Sequence, residues 1–420
     1  MGLLQIAAIL RAHQVDISYI DCLDRFHPRS KTPVLQKRWG RGAYLKTRIS
    51  RPAGLEDVPR YFSRYGIPPE WFREDLSNVP KPDAVMVTSL MTYWYPGVQE
   101  AIQQIRGMYP DTPILLGGIY ASLCQDHAVK RSGADWVVPG PGEGRVLDLV
   151  ADVTGVALTC SFDPDDLDTY PYPAFDLQHG ISYVPILTSR GCPFACSYCA
   201  SHYLNPRRML RSPENVVEEI RYWHRTHAVR DFAFYDDALL VNADKHIIPI
   251  LEGVIAAGLD IRCHTPNALH AREVTPEIAG LMAASGFETI RLGVETAEFE
   301  SRDHLDRKIT KDQFLRCIRT LTDAGFHENQ IGAYILVGLP GQSIADVAET
   351  IQAVKSAGAM PIMAYYTPIP HTALWKEAVA SSRYDLTWDP IFTNNAILPC
   401  QKEPFSWKTL KGLKALIADG

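Results

Sequence analysis

Three cysteines lie close together near the middle of this 420-residue sequence. Cys192, Cys196 and Cys199 are separated by three and then two residues. Cysteine thiolate is a soft ligand that binds iron–sulfur clusters and zinc. Three thiolates at this spacing can bind three irons of a [4Fe-4S] cluster and leave the fourth iron open to a small ligand. Gly191 and Pro193 favour the tight loop that would turn the thiols inward, so the segment predicts a metal centre.

A zinc site is the alternative, because His202 could complete a Cys3His ligand set. The remaining six cysteines are scattered: Cys22, Cys124, Cys160, Cys263, Cys317 and Cys400. A total of 9 cysteines, an odd number, disfavours a secreted disulfide framework. This usage predicts a reducing, cytoplasmic location and one metal site. The scattered cysteines are then expected to be buried as small apolar residues.

Apolar strand patterns alternate with helical patterns through the second half of the chain. The predicted strands are 183–189, 231–236, 260–265, 289–296, 331–338 and 361–368. Three intervening helices carry start signals, which are Ser212 with Pro213, Thr275 with Pro276, and Thr310 with Gln313. Strands and connecting helices in this order predict a partial (β/α)6 barrel, in which catalytic groups follow the carboxyl ends of the strands. The clustered cysteines follow the first of these strands.

The cysteine spacing, with Tyr198 directly before the last cysteine, resembles the radical S-adenosylmethionine (radical SAM) superfamily over residues 183–370. The resemblance implies that the open iron binds the amino and carboxylate groups of S-adenosylmethionine (SAM). One electron from a reductant such as flavodoxin or ferredoxin then cleaves the sulfonium, and the resulting 5′-deoxyadenosyl radical removes hydrogen from a substrate. The sequence leaves open which small molecule or peptide is the substrate.

Two acidic residues follow the second predicted barrel strand, in FYDDALL. The family usually has Gly-Gly-Glu here, and its acid binds the SAM ammonium. The resemblance implies this role for Asp237, which aligns best with that acid, or for its neighbour Asp236. The alternative is that the two carboxylates cap the next helix.

A further acid follows the fourth barrel strand, in GVETA. This segment resembles the family's Gly-x-Glu-Ser motif, which implies that Glu295 binds the ribose of SAM. A buried carboxylate needs hydrogen-bond donors, and the ribose hydroxyls would supply them. A salt bridge inside the barrel is the alternative.

Glycines follow the fifth barrel strand, in a segment that resembles the family's Gly-x-Pro-Gly-Glu-Thr motif with Gln342 in place of Glu. Gly338 and Gly341 would allow the backbone to approach the adenine edge of SAM. A strand-to-helix turn with Ser343 as N-cap explains the same residues and is compatible with that role. After the sixth strand, His371 stands where a related family segment has glycine.

The segment HTPNALH after the third strand could direct His264, Asn267 and His270 towards the barrel cavity. A lone histidine is more often a satisfied core residue than a catalytic one. The catalytic residues therefore stay unassigned.

The N-terminal part of the chain also alternates between helix and strand patterns. Strands are predicted at 15–21, 83–90, 113–118 and 134–140, and helices at 3–10 and 95–108. Continuous apolar strands between helices indicate a parallel sheet covered on both faces. The predicted domain limits are 1–156 with an insertion at 26–80, a linker at 157–180, the barrel at 181–380, and a C-terminal segment at 381–420.

This N-terminal part resembles the cobalamin-binding domain of many radical SAM enzymes. Ser89 and Leu90 are matched to its Ser-x-Leu motif, and Gly117 and Gly118 to its Gly-Gly motif, which implies a slot for the nucleotide tail of cobalamin. The family's first strand, and the histidine that can follow it as lower ligand, precede a helix like 3–10, whereas this sequence begins at that helix. We therefore expect weak or absent cobalamin binding. The alternative is a structural Rossmann-like domain that shapes the substrate cavity.

These patterns predict an α/β protein in which a Rossmann-like, cobalamin-binding-like parallel sheet domain precedes a partial (β/α)6 TIM-type radical SAM barrel. The implied function is reductive cleavage of SAM at a [4Fe-4S] cluster, with C-methyl transfer from methylcobalamin as the leading reaction. A cobalamin-independent rearrangement or cyclisation is the nearest alternative, and a zinc-stabilised binding protein is an alternative of another class. The net charge of −6 disfavours a nucleic-acid partner, and no apolar run is long enough to predict a membrane span.

Overall fold

The computed structural model describes residues 1–30, 39, 41–299, 305–306, 309–401 and 407–418. The chain forms two compact units. The first comprises Met1–Ser182 together with Asp389–Ile391, and the second comprises Tyr183–Trp388 together with Phe392–Gly420. The segment 157–180 therefore lies within the first unit.

The first unit contains a hairpin and a separate parallel sheet. The hairpin pairs β1 (Lys46–Ile49) with β2 (Phe62–Tyr65), and the sheet has the order β3-β4-β5, with β3 (Val85–Ser89), β4 (Ile114–Gly117) and β5 (Trp136–Val137). Its helices are α1 (Gly2–Ala12), α2 (Pro69–Ser77), α3 (Tyr95–Met108), α4 (Gly118–Leu123), α5 (Gln125–Arg131) and α6 (Val146–Thr154). Ile114 and Leu116 of β4 pack against Ile102 of α3 in one apolar core, as the apolar strand pattern predicts.

The strand predicted at 15–21 is wrong, because this segment forms no regular element. Its apolar residues Val15 and Ile17 pack against a core that contains Ile9 and Val146. The apolar residues of this segment face α1 and α6, which explains why they alternate with polar residues. A strand also requires backbone hydrogen bonds to a neighbouring strand, and side-chain alternation alone does not supply them.

The second unit contains a sheet of six parallel strands in the order β13-β12-β11-β10-β9-β6. They are β6 (Val184–Ile186), β9 (Asp231–Phe234), β10 (Arg262–His264), β11 (Phe287–Glu295), β12 (Ile331–Val337) and β13 (Met360–Tyr365). A short antiparallel pair, β7 (Ser189–Arg190) and β8 (Met209–Leu210), follows β6. Because each strand of the large sheet lies beside the next one along the chain, the predicted partial (β/α)6 barrel is confirmed.

The helices of the second unit are α7 (Ser201–Leu204), α8 (Pro213–His227), α9 (Ile247–Ala257), α10 (Pro276–Ala284), α11 (Lys311–Asp323), α12 (Ile344–Ser356), α13 (Trp375–Ser381) and α14 (Trp407–Ala418). Three of them start as predicted, because Ser212, Thr275 and Thr310 each accept a hydrogen bond from the first turn. Such a cap is worth about 1 kcal/mol. None of the helices in the described ranges has the length and apolar character that a membrane span requires.

All nine cysteines are free thiols. Cys263, Cys317 and Cys400 are buried, as predicted for the scattered cysteines. Cys160 is exposed, so that prediction is wrong for this cysteine. Cys22 is exposed as a whole residue, although burial raises the pKa of its thiol to about 12. Both lie in segments without regular structure, where the sequence carries no periodic signal for burial.

Three neighbouring barrel strands are joined by a buried polar cluster around Asp231, the first residue of β9. Arg262 Nε donates to Asp231 Oδ1 at 2.8 Å, and His264 Nε2 lies 3.0 Å from the same oxygen. His264 Nδ1 lies 3.0 Å from Thr289 Oγ1 on β11. Burial alone would raise the pKa of Asp231, but the hydrogen bonds from His264 and Arg262 outweigh it, so the pKa is lowered.

We expect Asp231→Asn to lower the free energy of unfolding of the barrel at pH 7 by about 1–3 kcal/mol, because it removes the charged acceptor of Arg262. Since the folded-state pKa of Asp231 is lowered, this contribution is present above the ordinary pKa of aspartate and is lost as the pH falls through the folded-state value. The difference between parent and variant therefore shrinks below about pH 4. Denaturant unfolding across a pH series measures it.

Asp260→Asn is the matched control, because Asp260 pairs with Arg230 at the surface. A solvent-exposed pair contributes less than about 1 kcal/mol. Equal losses of stability in the two variants would show that the Asp231 cluster does not join the strands.

Candidate active site

The cysteine loop, residues 191–199, follows β6 and β7 and so starts at the carboxyl end of the first barrel strand. Gly191 opens the loop with φ = +79°, a left-handed conformation that favours glycine. A Cβ atom here would lie 2.8 Å from the backbone oxygen of Arg207 and 3.1 Å from that of Asn205. A side chain at this position would displace backbone, so Gly191 determines the path of the chain into the loop.

The three thiols of this loop differ in their exposure to solvent. Cys196 is buried, Cys192 is partly buried and Cys199 is exposed. In a [4Fe-4S] cluster each thiolate binds a separate iron, so a single short loop of free thiols fits that group. Among the described residues, no group of three or more His, Cys, Asp or Glu side chains is arranged to hold one common metal ion. His202, the fourth ligand of the zinc alternative, is exposed on α7.

Two backbone hydrogen bonds hold the middle of the cysteine loop. The Ser197 N–H donates to the Leu305 oxygen at 2.8 Å, and the Ser197 oxygen accepts from the Leu374 N–H at 2.8 Å. Leu305 follows β11 in the chain and Leu374 follows β13. The loop is therefore attached to segments at the carboxyl ends of two other barrel strands.

Tyr198 connects the cysteine loop to two carboxylates. Its hydroxyl lies 2.9 Å from Glu295 Oε1 and 3.3 Å from Asp306 Oδ2. Burial and the nearby carboxylates raise the pKa of Tyr198 well above its usual range, so the phenol keeps its proton as a donor. Asp306 was missed by the sequence analysis, because it lies in no strand-end motif and only the folded chain brings it to Tyr198.

Glu295 is buried at the end of β11, the position predicted for it. Its φ is +65°, and the pairing of β11 with β12 is irregular between Gly293 and Glu295. A non-glycine residue in this region stores about 1–3 kcal/mol of strain, and such strain clusters at functional sites. The distortion directs the carboxylate to the Tyr198 phenol.

The two aspartates after β9 have different environments. Asp236 is buried, and its Oδ1 accepts from Thr188 Oγ1 at 2.7 Å and from Ser189 Oγ at 2.6 Å. Burial raises the pKa of Asp236, and these hydrogen bonds oppose the shift. His246 Nε2 lies 2.7 Å from Thr188 Oγ1, and burial lowers the pKa of His246 to about 4, so the imidazole is neutral at pH 7. Because the Thr188 hydroxyl donates its proton to Asp236, the tautomer with a proton on Nε2 donates to that hydroxyl.

Asp237 is only partly buried, and its Oδ2 accepts from Ser201 Oγ at 3.0 Å. Burial raises the pKa of Asp237, and the Ser201 hydrogen bond opposes that shift. The next helix, α9, begins at Ile247 with His246 at its N-cap position, so the alternative that these aspartates cap it is wrong. Asp237 is thus the member of the pair that lies beside the residues after the cysteine loop.

The glycines after β12 form a turn into α12. Gly338 has φ = +92° and Gly341 has φ = +71°. Gln342 Oε1 accepts from the Gly338 N–H at 2.8 Å, which explains how an amide replaces the family's acid in this turn. Ser343 caps α12 in a reciprocal pair with Asp346, so the predicted N-cap is confirmed.

The histidines of the third and sixth strand ends serve packing contacts. His264 is the satisfied core residue described above. Asn267 Nδ2 donates to the Tyr235 oxygen at 2.7 Å, and His270 packs on Phe194 of the cysteine loop with ring centroids 4.2 Å apart. His371 has φ = +68°, the conformation that suits the glycine of the related family segment.

The predicted slot residues of the first unit lie at the ends of β3 and β4. Ser89 is buried and bridges to Gly118, where α4 begins directly after β4. Gly118 has φ = +87°, and a Cβ there would lie 2.4 Å from Thr88 Oγ1. Gly117 precedes it at the N-cap position. Leu90 follows Ser89 without the intervening residue of Ser-x-Leu, and its side chain is 59% exposed.

Comparison with protein families assigns both units. The Radical SAM superfamily model matches residues 186–354, and the B12 binding domain model matches residues 66–150. The chain therefore contains a radical SAM domain and a B12-binding domain. It is an enzyme in which a B12-binding domain precedes a radical SAM domain, and the [4Fe-4S] cluster and SAM predicted as its cofactors are confirmed at the level of the family.

Two relatives show what this radical SAM enzyme is similar to. An uncharacterized methyltransferase of Pyrococcus horikoshii is 25% identical over 340 residues, which are 73% of this chain and 72% of the relative. The anaerobic magnesium-protoporphyrin IX monomethyl ester cyclase of Rubrivivax gelatinosus is 27% identical over 342 residues, which are 73% of this chain and 60% of the cyclase.

The solved structure of the radical SAM methyltransferase TsrM from Kitasatospora setae, with cobalamin and a [4Fe-4S] cluster bound, has a TM-score of 0.60 to this enzyme. The match covers 74% of this chain and 68% of TsrM at 17% sequence identity. Identity this low establishes a shared fold, and the predicted fold class is thereby confirmed.

We expect Gly191→Ala to prevent this radical SAM enzyme from assembling its cluster, because a Cβ would displace the Arg207 carbonyl and the loop behind it. Gly258→Ala is the matched control, since Gly258 also has positive φ (+59°) but open space around its Cβ position. Strain alone costs about 1–2 kcal/mol. Iron and sulfide content after anaerobic reconstitution measures the effect. Equal iron in both variants would contradict it.

Proposed function

We propose that this enzyme is a cobalamin-dependent radical SAM methyltransferase. The proposal rests on two glycines with positive φ, each of which follows a strand in a family-matched domain of one chain. Gly191 is the first residue of the cysteine loop, and Gly118 lies beside the predicted cobalamin slot. A methyltransferase is also among its relatives. Its substrate is a small molecule or a peptide that the site does not yet identify.

In this proposal Cys192, Cys196 and Cys199 each bind one iron of the cluster. A cluster held there would supply one-electron reductive cleavage of the SAM sulfonium, with the electron coming from a donor such as flavodoxin or ferredoxin. The exposure of Cys199 supports entry of that electron from the surface. Cys196 is buried, so its thiol is shielded from solvent.

The strand-end residues bind and orient SAM. Asp237 would accept a hydrogen bond from the SAM amino group, because it is a partly buried carboxylate beside the loop. Glu295 accepts from the ribose hydroxyls, and the Tyr198 phenol fixes its carboxylate at 2.9 Å. Gly338 and Gly341 leave the backbone open to the adenine edge. Asp236 has its hydrogen-bonding capacity occupied by Thr188 and Ser189, so its role is to position its neighbour.

The first unit binds the nucleotide tail of cobalamin beside Ser89, Gly117 and Gly118. The left-handed Gly118 lets α4 begin at once after β4 and keeps side-chain atoms out of the slot. Leu90 and Trp94, which are 59% and 43% exposed, offer apolar surface next to it. Methylcobalamin held there would supply a methyl group for a substrate carbon.

A cyclisation without methyl transfer is the second candidate, because a cyclase is also among the relatives. The two reactions differ in the fate of the SAM methyl group. Incubating the reconstituted enzyme with SAM, reductant and cobalamin tests this, because a methyltransferase converts cobalamin into methylcobalamin. Absence of that conversion, with cobalamin bound, would favour cyclisation or rearrangement.

We expect the reconstituted parent to carry about four irons and to change its electron paramagnetic resonance spectrum on addition of SAM. Changing Cys192, Cys196 or Cys199 to Ser should abolish both signals, because each removes the ligand of one iron. Cys160→Ser is the matched control, because Cys160 is an exposed thiol far along the chain from the loop. Stoichiometric zinc with no iron uptake in the parent would contradict the proposal and support the zinc-stabilised binding protein.

We expect hydroxocobalamin to bind the parent and Gly118→Ala to weaken that binding at least tenfold, because the added Cβ collides with Thr88 Oγ1 at 2.4 Å. Gly97→Ala is the control, since nothing lies within 4 Å of a Cβ at Gly97. The visible spectrum of the cobalamin follows the titration. Failure of the parent to bind would contradict the proposed methyl transfer and leave the first unit with a structural role, whereas tight binding would overturn the expectation of weak or absent binding drawn from the sequence.

A further inference from the structure

Ser201 is the first residue of α7 and the second residue after the last cysteine. It makes two hydrogen bonds as a donor. Its backbone N–H donates to Cys199 Sγ at 3.4 Å, and its hydroxyl donates to Asp237 Oδ2 at 3.0 Å. No family motif named above includes this serine, and the sequence analysis did not select it.

The backbone bond of Ser201 acts on the predicted cluster ligand. A donor to a cysteine thiolate stabilises the more negative, reduced cluster, so such hydrogen bonds are one of the features that set its reduction potential. This bond depends on the backbone and persists when the side chain is replaced.

The hydroxyl of Ser201 acts on the carboxylate. It occupies one oxygen of Asp237, which restricts the rotation of the carboxyl group and leaves the other oxygen to accept from a cation. The backbone of Asp237 is held independently, because the preceding Asp236 is bonded to Thr188 and Ser189. Ser201 is therefore the contact that orients the side chain.

We propose that Ser201 is a positioning residue that contacts both the carboxylate of Asp237 and the ligand Cys199, so that it links SAM binding to the electronic state of the cluster in addition to direct binding of SAM at the open iron. The inference rests on the proposed roles of Asp237 and the cysteine loop. It adds a residue whose hydroxyl orients the SAM-binding carboxylate and whose amide contacts the cluster.

The test uses Ser201→Ala in the full, reconstituted chain. We expect iron content and the cluster potential without SAM to equal those of the parent, because the amide is retained. SAM affinity should fall about tenfold or more, because a hydrogen bond to a charged group is lost. The shift of the potential that SAM causes should shrink. Equilibrium SAM binding and redox titration followed by electron paramagnetic resonance measure these quantities.

Two further serine variants distinguish positioning from general disruption. Ser201→Thr keeps the hydroxyl and should restore SAM affinity. Ser197→Ala is the matched control, because the Ser197 hydroxyl is buried in the same loop with no hydrogen-bond partner in the described part of the chain. It should bind SAM like the parent.

A double-mutant cycle with Asp237→Ala shows whether Ser201 acts through the carboxylate. If it does, Ser201→Ala causes no additional loss of SAM affinity in the Asp237→Ala background. Additive losses would overturn the inference, and so would parent-like SAM affinity or loss of iron in Ser201→Ala alone. A parent that assembles no cluster would instead overturn the proposed function, so the two failures are distinguishable.

Discussion

Asp236 is buried at the carboxyl end of β9 and is bonded by the two residues that lead into the cysteine loop, Thr188 and Ser189. Removing a carboxylate from water costs several kcal/mol unless other donors replace the water. Here the donors are the hydroxyls of both residues and the Thr188 amide, and His246 donates in turn to Thr188. These contacts lie beyond the last ladder pair of β6 and β9, Ile186 with Phe234, so they hold the start of the cysteine loop against the residues that follow β9. The rest of the site depends on that arrangement.

The cysteine loop is then fixed at several points along its length. Gly191 determines its entry, because only a residue without a Cβ avoids the Arg207 carbonyl. Tyr198 determines its far side through Glu295, which is held in a left-handed conformation at the end of β11. The strain at Glu295 persists because the pairing of β11 with β12 extends up to Glu295 itself. The strained backbone at Glu295 thus gives its carboxylate a defined position beside the Tyr198 phenol.

A glycine with positive φ also lies at a strand end of the first unit. Gly118 stands at the end of β4 with positive φ and has no room for a Cβ, as Gly191 does after β7. In parallel α/β sheets the carboxyl ends of strands are where helices begin and ligands bind. A glycine at that point lets the chain turn sharply without placing a side chain in the ligand's space. In each unit, a glycine therefore keeps the space at a strand end free of side-chain atoms.

The sequence alone determined the features that depend on neighbours along the chain. The cysteine spacing, the caps at Ser212, Thr275 and Thr310, and the succession of strands and helices are local, because their hydrogen bonds and periodicities involve residues a few positions apart. Strand order followed from the rule that successive parallel strands are joined by crossovers. Tertiary structure alone decided that residues 15–21 form no strand. It also decided that the Asp236 carboxylate accepts hydrogen bonds from Thr188 and Ser189, whereas the Asp237 carboxylate accepts one through Oδ2 from Ser201. It also brought Asp306 to Tyr198, since burial and hydrogen bonding between residues about a hundred positions apart leave no periodic signal in the chain.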